Sequence, residues 1–106
     1  MTDAILLERE GGLLTLRLNR PDKKNALTRA MYSQLGTALQ QADSDPEIKA
    51  VLITGSLQCF TAGNDIADFL QEPPSDLDSP VFQFMRSLLE CRKPVVAAVA
   101  GAAVGI

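Results

Sequence analysis

The stretch Cys59-Phe60-Thr61-Ala62-Gly63-Asn64-Asp65-Ile66 comes just after an apolar run, Ala50-Val51-Leu52-Ile53-Thr54-Gly55. A continuous Val/Leu/Ile run of that length reads as a strand of a parallel sheet covered on both faces. Asp65 reads as the N-cap of a short helix reaching Leu70. A strand that ends in a glycine-punctuated loop and then enters a helix leaves peptide N–H groups unpaired and aimed at one spot. A negative charge developing on a carbonyl oxygen needs that arrangement. A second apolar run, Pro94-Val95-Val96-Ala97-Ala98-Val99-Ala100-Gly101, leads into the small-residue turn Ala102-Ala103-Val104-Gly105-Ile106. Two such junctions predict two converging donors, an oxyanion hole.

Upstream, Ala4 to Glu8 and Leu13 to Leu18 read as strands of a hairpin around Gly11-Gly12. Leu14, Leu16 and Leu18 alternate with Leu13, Thr15 and Arg17, which gives the second strand one apolar face. Asn19 to Asn25 is a polar loop punctuated by Pro21. Thr28 is placed to cap a helix running to about Ala42, with Leu27, Met31, Leu35, Leu39 and Ala42 at helical spacing. Pro73-Pro74-Ser75-Asp76 reads as a mobile loop, and Ser79-Pro80 as the N-cap and first-turn proline of a helix to about Cys91. Phe82, Met85 and Leu89 on that helix fit core packing better than the lining of a ligand tunnel. Strands alternating with helices predict an α/β fold with right-handed crossovers.

The chain has 106 residues, 46% hydrophobic and 22% charged, within the range of a soluble globular domain. A net charge of −3 argues against nucleic acid or an anionic membrane as the main partner, so an anionic ligand would depend on local basic residues. There is no histidine, and Cys59 and Cys91 lack metal-ligand spacing. Two reduced thiols in a cytoplasmic setting is the preferred reading, with no metal. No signal peptide is legible, and the uncharged stretch from Val95 to Ile106 is far shorter than the ~20 apolar residues of a membrane span. An apolar ending of this kind reads as a truncated chain or part of a larger enzyme, the alternative being a terminus buried by a partner subunit.

Four segments together, Asn19-Arg20-Pro21-Asp22-Lys23-Lys24-Asn25-Ala26-Leu27, Ala50 to Gly55, Phe60 to Ile66 and Lys93 to Gly101, resemble the crotonase superfamily, the enoyl-CoA hydratase/isomerase family. The resemblance covers nearly the whole chain. It implies a crotonase-like (ClpP/crotonase) spiral of ββα units, of which residues 1–106 would be the N-terminal portion. It further implies homotrimers or dimers of trimers, and acyl-CoA substrates with coenzyme A as part of the substrate and no separate cofactor. By position, the backbone N–H groups of Asn64 and Ile106 would be the two oxyanion donors. Gly63-Asn64-Asp65-Ile66 paired with Gly105-Ile106 looks more like the Δ3,Δ2-enoyl-CoA isomerase branch than a typical hydratase.

The resemblance places Asn25-Ala26 in the adenine-side wall, with backbone oxygens of Ala26, Ala62 and Ile66 receiving the adenine amino group. Lys23, Lys24 and Arg20 would face the CoA phosphates, although solvated loop lysines are an equal alternative. Asp65 is assigned mainly to capping, since its charge has the wrong sign beside a developing anion. The general acid and base of the family would lie beyond Ile106. Glu72, Asp76, Asp78 and Glu90 offer no substitute. A non-catalytic CoA-binding fragment is therefore the competing reading of these residues.

Overall fold

The computed structural model describes residues 3–71 and 78–105. The first hairpin forms as β1 (Ile5–Glu10) and β2 (Leu13–Leu18). Its register runs from Ile5 opposite Leu18 to Glu10 opposite Leu13, so β1 continues two residues past the Glu8 boundary expected from the sequence. After a short 3-10 turn at Pro21–Lys23 comes α1 (Arg29–Ser44), whose Met31 N–H donates to the Thr28 hydroxyl at 3.2 Å. This is the predicted cap, satisfying one of the donors a helix start leaves open. Then follow β3 (Ala50–Thr54), β4 (Cys59–Thr61), α2 (Ile66–Gln71), α3 (Pro80–Glu90), β5 (Val95–Ala98) and β6 (Ala102–Ala103).

The main sheet has the order β1-β2-β3-β5; β1 is antiparallel to β2, while β2, β3 and β5 run parallel. A second sheet pairs β4 and β6 in parallel, with Cys59 opposite Ala102 and Thr61 opposite Ala103. The small-residue run after Gly101 is therefore a short strand rather than a plain turn. Gly101 makes the pairing feasible: its φ is +72°, and an added Cβ would sit 2.1 Å from the Gln58 carbonyl oxygen. No other residue fits there without moving backbone.

The core lies between the main sheet and α1. Leu16, Leu18 and Val51 from the sheet meet Met31, Tyr32, Leu35, Leu39 and Ala42 of α1, all at most 4% exposed. Burying each large side chain contributes about 1.5–3 kcal/mol before conformational entropy is counted. The predicted α1 stripe thus faces inward as read. Thr15, expected on the open face of β2, is also buried.

On α3 the expectation of core packing at Phe82, Met85 and Leu89 needs correction. Phe82 packs against the core, but Met85 is 36% and Leu89 86% exposed. The face of α3 turned to α1 is instead Val81, Phe84 and Ser87, one turn-spacing apart. Position 36 of α1 lies at this crossing and admits only a small residue, since a Cβ there would already touch Phe84 Cα at 3.5 Å. Ser79 and Pro80 start the helix as predicted, yet the Ser79 side chain makes no capping bond and its buried hydroxyl has no partner among the described residues.

The far end of α1 is tied to the loop between α3 and β5. Lys93 Nζ donates to the carbonyls of Ala42 and Asp45, and Arg92 N–H donates to Asp43 at 2.9 Å. A cation on the last carbonyls of a helix also favours its dipole. That Arg92 N–H, first among the causes, and the Arg92 charge hold the Asp43 carboxyl below its ordinary range. Among the described residues no helix is long and apolar enough to cross a membrane. Cys59 and Cys91 are free thiols.

Candidate active site

The site is built where the segment after α1's leading loop meets the junction of β4 and α2. Leu27 forms an isolated parallel bridge with Asn64: its N–H donates to Gly63 O at 2.8 Å, and Asp65 N–H donates to its carbonyl at 2.8 Å. A trans peptide sets its C=O and N–H in opposite directions. With Gly63 O turned to Leu27, the N–H of Asn64 points the other way.

The neighbouring donors are all in use. Ala62 N–H donates to Lys24 O at 3.0 Å, Gly63 N–H to the Thr61 hydroxyl at 3.1 Å, and Asp65 N–H to Leu27. The Asn64 N–H alone in this run has no acceptor among the described residues. Asn64 is an exposed residue, so its N–H is open to water or to the acceptor of a ligand.

The second predicted turn lies against the first. Val104 N–H donates to Thr61 O at 3.0 Å, an added Cβ on Gly63 would sit 3.4 Å from Val104 O, and one on Gly105 would sit 3.6 Å from Gly63 Cα. Ile106, the predicted second donor, lies outside the described residues, as do Glu72, the Pro73–Asp76 loop and Asp76.

Other expected residues are placed as follows. Asn25 is 1% exposed and has φ +57°, and both ends of its carboxamide are engaged. Its Oδ1 accepts from Arg20 N at 2.7 Å and its Nδ2 donates to Cys59 O at 3.1 Å, while its carbonyl accepts from the Thr61 hydroxyl at 2.7 Å. Its side chain therefore builds the loop. Arg20 likewise turns inward: Nη1 donates to Ala26 O at 3.0 Å and pairs with Asp65 Oδ2 at 2.8 Å. That corrects the expectation that Arg20 faces the CoA phosphates, because its charge is already neutralised on a largely buried carboxylate. It also means Ala26 O already receives one donor. Lys23 and Lys24 are exposed on the same loop, as is Ala62, and so is Ile66 at the start of α2.

Asp65 caps α2 as expected, with Oδ1 accepting from Asp68 N–H at 3.0 Å. That bond first, and the Arg20 side chain next, hold its carboxyl below the usual carboxylate range. Asp68 in turn accepts from Arg29, backbone N at 2.8 Å and Nε at 3.2 Å. Two arginines before and at the start of α1 thus clamp the first turn of α2. Arg29 and Asp68 escaped the sequence reading. The only available sign was two aspartates three apart at a helix start, and their partners lie far off in sequence.

A cavity of about 460 Å³ opens at the carboxyl ends of β2, β3 and β5, beside Leu18, Thr54, Gly55 and Ala98. Of the predicted site residues it touches Asn25 only. The open peptide N–H, not this cavity, defines the candidate site.

Fold and site together describe an α/β scaffold with one open backbone N–H between β4 and α2, and residues 8–106 match the family model described as enoyl-CoA hydratase/isomerase. The chain belongs to that family, the crotonase superfamily, and carries its fold. It is similar to the 1,2-epoxyphenylacetyl-CoA isomerase of Escherichia coli, 38% identical over 99% of this chain and 43% of that protein. With the mitochondrial Delta(3,5)-Delta(2,4)-dienoyl-CoA isomerase of Rattus norvegicus it shares 32% identity, over 88% of this chain and 33% of the relative. The structure of Pseudomonas aeruginosa OdaA superposes with a TM-score of 0.94 at 62% identity, covering 98% of this chain and 42% of that one. The chain thus spans about two-fifths of the length of such relatives.

Proposed function

We propose that this chain is the N-terminal portion of an enzyme acting on fatty enoyl-CoA thioesters, in which the Asn64 and Ile106 peptide N–H groups grip the thioester oxygen. The observation that carries this reading is the open Asn64 N–H beside the Gly105 turn, in a loop whose other donors are taken. Two N–H groups on that oxygen stabilise the enolate left when a proton leaves the α-carbon. Each such donor is worth about 10²–10³ in rate. The proton-transferring carboxylates would follow Ile106.

Within the family we favour Δ3,Δ2 isomerisation, in which the proton removed from C2 returns at C4 and the double bond moves into conjugation. The pairing of Gly63-Asn64-Asp65-Ile66 with Gly105-Ile106 supports it; the names of the relatives include both hydratases and isomerases and do not choose between them. Exposed Lys23 and Lys24 would attract the CoA phosphates. A cytoplasmic homotrimer or dimer of trimers completes the proposal.

The test is product analysis with the whole protein given 3-enoyl-CoA and 2-enoyl-CoA separately. Conversion of the first to the 2-enoyl thioester, with little hydration of the second, is the expected result. Efficient formation of 3-hydroxyacyl-CoA from the second would make it a hydratase. Binding without turnover of either would leave a CoA-binding protein.

A further inference from the structure

The run from Cys59 to Ile66 does not hold itself in place; one side chain reaches it from α1. Tyr32 is 1% exposed, and its hydroxyl donates to Oδ1 of Asn64. The ring itself has no freedom. Its residue sits in the first turn of α1, with its N–H on Thr28 O at 3.0 Å, and the ring packs on Phe84 at 5.5 Å between centroids. A buried phenol demands a partner for its O–H, and the partner chosen here is the side chain of the residue whose own N–H stays open.

We propose that Tyr32 is a positioning residue, holding Asn64 through its side chain so that the Asn64 peptide keeps its N–H turned away from the Leu27 bridge. The Gly63–Asn64 peptide is then fixed at two points. Leu27 N–H holds its carbonyl end at 2.8 Å, and Tyr32 holds the side chain on the following Cα. The second point matters because Gly63, with φ +98° and no Cβ, gives the peptide little steric restraint of its own. Burial raises the Tyr32 phenol above its ordinary 10.0, so it remains a donor throughout the neutral range. The catalytic consequence rests on the oxyanion reading of Asn64; the geometric hold does not.

The test uses the whole protein with Tyr32→Phe, Asn64→Ala and the double variant. Phenylalanine keeps the ring contact with Phe84, and Asn64→Ala keeps the backbone N–H, so each removes only one half of the hydrogen bond. Positioning predicts that either single change lowers kcat about tenfold with KM within about twofold, since small misplacements are costly in rate. It predicts that the double variant is no worse than either single, because both cut the same link. In ligand-free protein, hydrogen exchange of the amides at 61–66 should quicken in Tyr32→Phe. Losses that multiply in the double variant, or unchanged exchange at 61–66 with unchanged kcat, would overturn it. A wild-type protein inert toward enoyl-CoA whose Tyr32→Phe form still exchanges faster at 61–66 would sink the proposed reaction and uphold the positioning.

Discussion

Gly63 shows how one residue can serve conformation and contact at once. Its φ of +98° is strained for any residue with a side chain, and a Cβ would press to 3.4 Å from Val104 O, where the two turns meet. Gly63→Ala is expected to cost about 1–3 kcal/mol of stability and to depress turnover out of proportion, since the turn carries the Asn64 peptide. Urea unfolding beside steady-state kinetics checks both. Asp65 gives a pH signature. Its carboxyl is held below the ordinary range by the Asp68 N–H and by Arg20. The folded state therefore binds that proton more weakly than the unfolded chain, so the stabilisation is present above the ordinary carboxylate range and is lost as pH falls through the depressed value. Melting curves should show wild type more stable than Asp65→Asn near neutrality, with the difference closing in acid. At this scale the sequence was a partial guide. Asp65 as cap was readable from strand-loop-helix chemistry alone, which also predicted open N–H groups at the junction; the choice of Asn64 among them came from the family resemblance. The inward turn of Arg20 was not readable, because a loop arginine and a phosphate-binding arginine look alike until the carboxylate facing it is known.

Between elements, the contact of α1 with α3 sets the register of everything behind the site. Gly36 lies buried at that crossing, and a Cβ there would meet Phe84 Cα at 3.5 Å and Ser87 Oγ at 3.6 Å, ordinary van der Waals distances. Gly36→Ala should therefore stabilise by about 0.5–1 kcal/mol, through helix propensity, whereas Gly36→Leu should destabilise by forcing the helices apart. Denaturant midpoints of the two variants would decide between these signs. The α1 stripe was legible because its helical period leaves one inward face, and β3 because a short continuous apolar run bounded by a glycine reads as a parallel strand. The inward face of α3 was not, since Phe82, Met85 and Leu89 form an equally good helical stripe. Position 36 on the neighbouring helix, which admits only a small residue, lies at the crossing, and no pattern within α3 records it. The β4–β6 pairing escaped for a related reason: strands of three and two residues are too short for periodicity, and Gly101's close approach to Gln58 is visible only in space.

For the molecule as a whole, the four-stranded sheet and its helices act as a frame, and the two-stranded sheet joins the turn after β4 to the turn after β6. Asn25 and Thr61 stitch the leading loop to β4 and Leu27 ties it to Asn64, while Gly63 and Gly105 are neighbours although they lie far apart in the chain. The most direct test of this arrangement is the amide resonance of Asn64 in the isotopically labelled whole protein, followed while a saturated acyl-CoA is titrated in. A backbone N–H that hydrogen-bonds the thioester oxygen should move downfield and saturate with the ligand, together with that of Ile106. An Asn64 amide that stays fixed while other residues report binding would contradict the account.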